Sequence, residues 1–239
     1  MQISTRKLFV ALLYALIFSL LVLSAVSVSK RITIFNENKT VDRLHCVIID
    51  AGHGGIDGGA TSLSGVLESK INLDIALKLD DLLHLLGINT VMTRCDDCSL
   101  HTSGFTISAQ KVSDLKRRVE IVNNIEKAVL ISIHQNYFPD SRYYGAQVFY
   151  APTEGSGVLA KNMQDYFVRM LNIGSNRQCK KASGIYLLEK INCPGVLVEC
   201  GFLSNFEEEA DLLTEHYQRK ICCIIAISVL DFIDSDSFT

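Results

Sequence analysis

Four short segments of this sequence carry side chains that bind metals or transfer protons. The segment D-A-G-H-G-G-I-D-G-G, residues 50–59, presents His53 in a glycine-rich loop. Glu68 follows it, S-I-H-Q-N contains His134, and P-G-V-L-V-E-C-G-F-L-S-N contains Glu199. Each segment alone is a weak signal, because single histidines and glutamates have ordinary structural uses. Two histidines and one carboxylate, however, are a common ligand set of a catalytic zinc ion, which keeps one position open for water.

The remaining carboxylate, Glu199, stands at the end of a very apolar run, where an unpaired charge is costly. Burial raises a carboxyl pKa, which suits a general acid or base. Zinc lowers the pKa of bound water toward about 7, so that a nearby carboxylate can take its proton at neutral pH. The residue types therefore predict a zinc hydrolase. A phosphate-binding loop is excluded, because the glycine-rich segment lacks both G-K-[ST] and G-x-G-x-x-G.

The spacing of apolar residues predicts the elements that position these side chains. Short β-branched runs predict strands at 46–50, 89–92, 128–133, 146–150, 185–188 and 196–199. Helical spacing predicts helices at 68–86, 112–125, 157–171, 206–213 and 217–233, with a polar loop over 95–110. Alternating strands and helices predict the α/β class, as a single domain with a mostly parallel central sheet flanked by helices on both faces.

The predicted sheet explains how distant residues come together. His53, His134 and Glu199 each follow or end a separate strand, and the carboxyl ends of parallel strands share one edge, where ligands bind. The two-residue period of a strand places His134 on the same side as Ser132, and it places Cys200 opposite Glu199, in the core. We expect Glu68 to reach the same edge from the start of the first helix.

The N-terminal segment is expected to carry the domain out of the cell. Residues 8–28 are almost wholly apolar and uncharged, which predicts a transmembrane helix within residues 1–31, either an uncleaved anchor or a cleaved signal. Residues 32–44 are expected to be a linker, and 45–234 the catalytic domain. The net charge of -3, from 23 basic and 26 acidic residues, argues against a nucleic-acid partner.

On these motifs the chain resembles the N-acetylmuramoyl-L-alanine amidases of the zinc-dependent "amidase 3" family. The motifs are D-x-G-H-G-G-x-D-x-G, a helix-opening glutamate, T-R at 93–94, S-I-H-x-N and L-V-E-x-G-F-[LI]-S-N, in the family's order over 45–233. The resemblance implies one Zn²⁺ per chain, bound by His53, Glu68 and His134, with Glu199 as the catalytic glutamate. It also implies the bond that is cut, between N-acetylmuramic acid and L-alanine of peptidoglycan.

With a membrane segment and no wall-binding repeats, the chain most resembles the sporulation amidases of the CwlD type. Those enzymes remove stem peptides so that muramic-δ-lactam forms in the spore cortex. The resemblance implies an extracytoplasmic catalytic domain at the cell membrane or forespore envelope, and it allows for an extracytoplasmic protein activator. Two alternatives stay open: a non-catalytic peptidoglycan-binding protein on an amidase fold, and a zinc peptidase of the stem peptide.

Two further residues, a cysteine pair and one loop each allow two interpretations. Arg94 is a candidate for contacting an acidic group of the substrate, although structural pairing explains it equally well. Asn136 is expected either to support the site or to cap a turn. Cys95 and Cys98 form a lone C-x-x-C, which fits a local disulfide or two plain thiols. The loop 95–110 around them is expected to shape either the substrate groove or a partner surface.

Overall fold

The computed structural model describes residues 46–235. The predicted anchor or signal (1–31) and the predicted linker (32–44) lie outside the described residues. Within residues 46–235, no helix combines the length and the apolar content that crossing a membrane requires. The start of the predicted catalytic domain, residue 45, also lies just outside this range.

Residues 46–235 form six strands and six helices. The strands are β1 (Cys46–Ala51), β2 (Thr90–Met92), β3 (Ala128–Asn136), β4 (Gln147–Tyr150), β5 (Lys180–Lys181) and β6 (Gly195–Phe202). The helices are α1 (Glu68–Leu85), α2 (Ile107–Asn123), α3 (Ser156–Met170), α4 (Tyr186–Lys190), α5 (Phe206–Leu212) and α6 (Glu215–Asp234).

The strands form one sheet in the order β2-β1-β3-β6-β4-β5. Strands β1, β2, β3 and β6 run parallel, and β4 runs antiparallel to β6. The predicted α/β class with a mostly parallel sheet is therefore confirmed. The register pairs Asp50 with Ser132 and His134 with Glu199, so the polar residues of neighbouring strands lie side by side.

The two faces of the sheet are covered by different helices. Helices α1, α3 and α6 cover one face with the larger apolar core, which includes Ile49, Ile131 and Val198. Helices α2 and α4 contact each other and cover the other face, where Ile48, Leu130 and Leu197 are buried. Because strand residues alternate between faces, Asp50, His134 and Glu199 belong to the side of α2 and α4. Cys200 is buried in the opposite core, as predicted.

Two predicted elements differ from the structure. The strand predicted at 185–188 is wrong: this short apolar run forms helix α4, which buries Leu187 and Leu188. Short apolar runs suit either element, and here Glu189 accepts a hydrogen bond from the backbone N–H of Gly184 at 2.6 Å, which favours the helical turn. Helix α2 begins at Ile107, five residues earlier than predicted, because the Thr106 side chain caps it by accepting from Ala109 N–H.

Candidate metal centre

Three side chains from separate elements converge at the carboxyl edge of the sheet. The Oε1 atom of Glu68, the first residue of α1, lies 3.0 Å from Nδ1 of His134 and 3.3 Å from Nε2 of His53. One ligand atom from each of the three residues lies within 4.8 Å of the others. The imidazole rings meet edge to face, with 4.9 Å between their centroids. This arrangement can hold a metal ion, and the sequence predicted these same three residues.

Glu68 is held in place by groups that do not belong to the triad. Its Oε2 accepts from the backbone N–H of Ala60 at 2.9 Å, and its Oε1 accepts from the N–H of Gln135 at 3.2 Å. Asn72, one helical turn later, donates from Nδ2 to the carbonyl of Gly52 at 3.1 Å and to Glu68 Oε1 at 3.4 Å. The bonds from Ala60, Gln135 and Asn72 to the Glu68 carboxylate favour its ionised form, because each donor stabilises the negative charge.

The electrostatics of the triad favour a cation between its members. Burial raises the pKa of Glu68, but its hydrogen bonds and the charges of His134 and His53 outweigh burial and hold the pKa far below its ordinary value. Burial lowers the pKa of His53, but Glu68 and Asp57 outweigh it and raise the pKa to about 9. Two imidazole nitrogens thus face one carboxylate oxygen, and a metal ion bound there would be held by all three side chains.

The ring of His53 is oriented by a carboxylate that the sequence analysis did not single out. Asp57 accepts a hydrogen bond at Oδ2 from Nδ1 of His53, at 2.9 Å, and Lys111 contacts its Oδ1 at 2.7 Å. A carboxylate on the second ring nitrogen fixes the tautomer that presents the first nitrogen to a metal. Asp57 lies in the glycine-rich motif, four positions after His53, so its place in the motif could have identified it from the sequence.

Two glycines leave the space that the triad occupies. An ideal Cβ at Gly52 would lie 2.2 Å from Nε2 of His134. At Gly59, where φ is +69°, it would lie 2.5 Å from Oε2 of Glu68 and 2.8 Å from Cδ2 of His53. No larger residue fits at either position unless a side chain of the triad moves.

Glu199 lies beside this triad on β6, paired in register with His134. Its Oε2 is buried and makes no hydrogen bond within residues 46–235. Burial raises its pKa to about 7, since the nearby negative charge of Glu68 adds to burial and the two histidines only partly offset them. A carboxyl group with this pKa exchanges protons near neutral pH, which is what a general acid or base requires.

A buried ionic network around Asp50 and Arg118 adjoins the candidate metal centre. Asp50 accepts from Arg118 Nη1 at 2.5 Å, from Ser132 Oγ at 2.7 Å and from Thr93 Oγ1 at 2.7 Å. Arg118 also donates to the carboxylate of Asp114 at 2.6 Å. Asp50 and Arg118 were not predicted as site residues. The apolar neighbours of Asp50 gave a sequence signal, because a carboxylate in a buried strand needs a partner.

Arg94 and Asn136, the two further residues singled out in the sequence, make different contacts near the candidate metal centre. The buried guanidinium of Arg94 donates to four backbone carbonyls, those of Ala51, Gly52, Ser69 and Asp96, at 2.8–3.0 Å. The guanidinium of Arg94 therefore ties together the end of β1, the glycine-rich loop, α1 and the segment after β2. Asn136 ends β3, and its carbonyl accepts from Leu203 N–H at 2.8 Å. The role of its side chain stays a prediction.

A cavity of about 200 Å³ opens beside the two histidines. It lies between α2, α4 and the sheet, and it extends the centre toward solvent. The residues that line it are Asp50, Gly52, His53, Asp57, Lys111, Asp114, Leu115, Arg118, His134, Ile185, Tyr186, Leu187 and Leu197.

The segment that precedes α2 packs against the glycine-rich loop. Asp97 accepts from Gly55 N–H at 2.9 Å, and an added Cβ at Gly54 would lie 2.3 Å from the carbonyl of Cys98. The two cysteines of the C-x-x-C are free thiols. Burial raises the pKa of the Cys98 thiol to about 11, and Asp96 adds to the effect, so this group stays a protonated thiol at neutral pH.

Comparison with known proteins defines the class to which this fold and site belong. Residues 47–231 match the profile of the Amidase_3 family, described as N-acetylmuramoyl-L-alanine amidase. The match spans most of the chain, so the chain belongs to this family of hydrolases. The family and enzyme class predicted from the sequence motifs are therefore confirmed.

Within the family, the chain is similar to a germination-specific amidase and to amidases of solved structure. It is 37% identical over 188 residues to the germination-specific N-acetylmuramoyl-L-alanine amidase of Bacillus subtilis (strain 168), covering 78% of each chain. Its fold matches the CwlD amidase from Clostridioides difficile, solved in complex with the GerS lipoprotein, with a TM-score of 0.76 and 40% identity over 80% of this chain and 99% of that one. The catalytic domain of CwlV from Bacillus (Paenibacillus) polymyxa var. colistinus matches with a TM-score of 0.68 and 31% identity, over 79% and 98% of the two chains.

Proposed function

We propose that this chain binds one zinc ion through His53, Glu68 and His134 and hydrolyses the amide bond between N-acetylmuramic acid and L-alanine in peptidoglycan. The observation that carries the proposal is the convergence of three ligand atoms within 4.8 Å, beside a partly buried carboxylate on the neighbouring strand. Membership of the amidase family supports the reaction and the substrate class.

The residues present fit zinc. Two imidazole nitrogens and one carboxylate oxygen are a frequent set of three protein ligands at a catalytic zinc ion. The glycines at 52 and 59 leave room around the ligands, and Asp57 orients one imidazole as metal-binding histidines usually require. When bound, zinc lowers the pKa of a water molecule and stabilises negative charge on the carbonyl oxygen of the substrate.

In the proposed reaction, Glu199 is the side chain that acts on the reacting atoms. We assign it the proton transfer: its carboxylate takes the proton of the attacking water and passes it to the alanine nitrogen as the amide bond breaks. The raised pKa suits both halves of this step, because the group must accept a proton and release it at the same pH. The free Oε2, buried next to the triad, is the atom that supports this assignment.

The proposed setting is the spore cortex, outside the cytoplasm. The germination-specific amidase of Bacillus subtilis and the CwlD amidase are the relatives that support it. We propose residues 1–31 as a membrane anchor or export signal, 32–44 as a linker and 45–234 as the catalytic domain. The CwlD amidase was solved in complex with the GerS lipoprotein, which supports a protein partner for this chain, and we propose that this partner is an extracytoplasmic activator.

The test is mass spectrometry of peptidoglycan digested by the zinc-loaded full chain. We expect release of intact stem peptides that begin with L-alanine. Glu199→Gln should bind one zinc ion but lose activity by about 10²–10⁴-fold, the usual contribution of general acid–base catalysis. Glu207→Gln, at an exposed position of α5, is the matched control and should keep full activity.

His134→Ala separates metal binding from proton transfer, since it should lose both zinc and activity. Shortened stem peptides as the product would show that the chain is a peptidase and would refute the proposed bond. Zinc binding with no release of any peptide, with or without extract of the spore envelope, would favour a binding protein.

A further inference from the structure

The loop between β3 and β4 carries a group of exposed aromatic side chains. Tyr137, Phe138, Tyr143 and Tyr144 expose 50%, 47%, 48% and 52% of their surface. Aromatic residues dominate the energetics of binding surfaces, so four half-exposed rings on one short loop are a candidate interaction site. We call these four residues the aromatic platform.

The platform adjoins the candidate metal centre. Tyr137 is the third residue after His134, and the strand register pairs Asn136 with Phe202, the third residue after Glu199. The ring centroids of Tyr143 and the buried Phe202 are 6.3 Å apart, so the platform packs against the end of β6. Both strands that supply the chemistry therefore lead directly into it.

The loop is held rigidly at three points. The N–H of Phe138 donates to Ser204 Oγ at 3.1 Å, and Asn205 Nδ2 donates to the carbonyl of Ser141 at 2.8 Å. The N–H of Gly145 donates to the buried carboxylate of Glu208 at 2.8 Å. A surface that is already ordered loses little entropy when a ligand binds, which favours a preformed site.

The rings also support one another. Phe138 and Tyr143 pack edge to face at 4.8 Å, and the guanidinium of Arg177 lies 5.0 Å above the ring of Phe202. Arg177 in turn donates from Nε to the carbonyl of Tyr144 at 2.9 Å, which fixes the far end of the loop. The exposed faces of the rings are thus presented in a defined orientation.

We propose that the aromatic platform binds the glycan strand of peptidoglycan, by stacking on a pyranose ring next to the muramic acid whose peptide is removed. The inference rests on the proposed function and extends it from the bond that is cut to the polymer that is held. A pyranose ring has apolar C–H faces and a rim of hydroxyl groups. Tyrosine matches it, with an apolar ring body and a polar hydroxyl tip.

Charge and connectivity favour a sugar over the stem peptide as the occupant. Asp140 and Arg142, the charged residues of the loop, pair with each other at 2.7 Å and leave the platform close to neutral. This suits an uncharged N-acetylated sugar better than a peptide with free carboxylates. The neighbouring sugar is also bonded to the muramic acid itself, so it must lie within one ring length of the reacting bond.

The test compares two substrates with the same scissile bond. One is a long glycan strand that carries stem peptides, and the other is a single N-acetylmuramic acid with the same peptide. In the zinc-loaded full chain, we expect Tyr137→Ala with Phe138→Ala to raise KM on the long strand about tenfold, from lost stacking and burial. The rate on the monosaccharide substrate should be unchanged. Tyr137→Phe with Phe138→Tyr, which keeps both rings, should restore the wild-type KM.

A binding measurement makes the result independent of catalysis. The full chain with Glu199→Gln is titrated with peptide-free glycan strands, and the platform substitutions should weaken binding by the same factor of about ten. Leu85→Ala, which removes an exposed apolar side chain at the C-terminal end of α1, is the control and should change neither KM nor binding. Thermal unfolding of each variant checks that the fold is intact.

The outcomes separate the platform from the amidase activity. Equal losses on both substrates, or no loss on either, would overturn the platform as a glycan subsite. Absence of all hydrolysis in the wild type would refute the proposed function, and the glycan titration would then decide the platform alone. Unchanged glycan binding together with lost binding of an envelope protein would overturn the proposal in favour of a protein partner.

Discussion

Arg118 donates a hydrogen bond of 2.7 Å from Nη2 to the backbone carbonyl of His53. His53 is one of two non-glycine residues with positive φ within residues 46–235, at +61°, and such a conformation persists only where its surroundings enforce it. The same guanidinium bonds to Asp50 and to the carbonyl of Ala51. One buried side chain therefore fixes the end of β1, the start of the loop and the backbone of a candidate metal ligand.

Removing Arg118 should strongly lower the free energy of unfolding of the domain. Arg118→Met leaves Asp50 as a buried, unpaired carboxylate, so we expect a loss of about 3–5 kcal/mol in the free energy of unfolding. Urea denaturation measures it. Arg117→Met, which removes only an exposed ion pair with Glu120, is the control and should cost less than about 0.5 kcal/mol. Similar losses in the two variants would contradict the prediction.

The four main site residues were predictable because each belongs to a motif at a strand end or helix start. Parallel topology brings strand ends together whatever the details of packing, so His53, Glu68, His134 and Glu199 could be grouped from the sequence alone. The roles of the two buried arginines could not. Arg94 and Arg118 bind backbone carbonyls of residues 51–53, and such contacts leave no pattern in the residue types.

The strand predicted at 185–188 is wrong because a short apolar run suits a strand and a buried helix equally well. The run at 185–188 is apolar and short, and its conformation depends on burial of Leu187 and Leu188 beneath α2, a tertiary contact. The early start of α2 has a similar cause. Residues 107–111 show no apolar face, since Ile107 is exposed, and the helix begins there because of the Thr106 cap.

The hydrogen bond from His53 to Asp57 should set the affinity for zinc. Asp57→Ala removes the group that orients the imidazole, and we expect zinc affinity to fall about 10–100-fold. Lys111→Met keeps that bond and removes only the cation behind it, so its effect should be smaller. Competition with a chromophoric chelator measures both. Asp81→Ala, at an exposed position of α1, is the control. Unaltered zinc affinity in Asp57→Ala would show that the bond is incidental.

Space around the triad predicts a contrast between two glycines with similar backbones. Gly59 and Gly65 have φ of +69° and +85°, so alanine is strained at both. At Gly59 the new Cβ would lie 2.5 Å from Oε2 of Glu68, whereas at Gly65 nothing lies within 4 Å. Gly59→Ala should therefore abolish stoichiometric zinc binding. Gly65→Ala should bind zinc normally and lose only about 1 kcal/mol of stability.

Zinc content after dialysis and the free energy of unfolding, measured for both glycine variants, test this contrast. Equal zinc content would mean that the loop adjusts around the added methyl group. In that case the close approach of Gly59 to Glu68 would not be a requirement of the site.

We expect acid to lower the free energy of unfolding of the domain, because it protonates Asp50. Burial raises the pKa of Asp50, but Arg118, Ser132 and Thr93 outweigh it and lower the pKa to about 2, from an ordinary value of 3.8. A carboxyl group with a lowered folded-state pKa stabilises the fold fully above its unfolded value, and that contribution is lost as the pH falls through the folded value. The window is therefore between about pH 4 and pH 2, and the contribution is about 2 kcal/mol.

Asp50→Asn isolates this contribution from the other carboxylates. The free energies of unfolding of the metal-free protein and of this variant are measured by urea denaturation from pH 6 down to pH 2. We expect the difference between them to be constant at the upper end and to narrow by about 2 kcal/mol below pH 4. Asp81→Asn is the control and should follow the wild-type curve throughout. A difference that stays constant down to pH 2 would mean that the Asp50 carboxyl gains nothing from Arg118 on folding, in conflict with the buried ion pair of 2.5 Å.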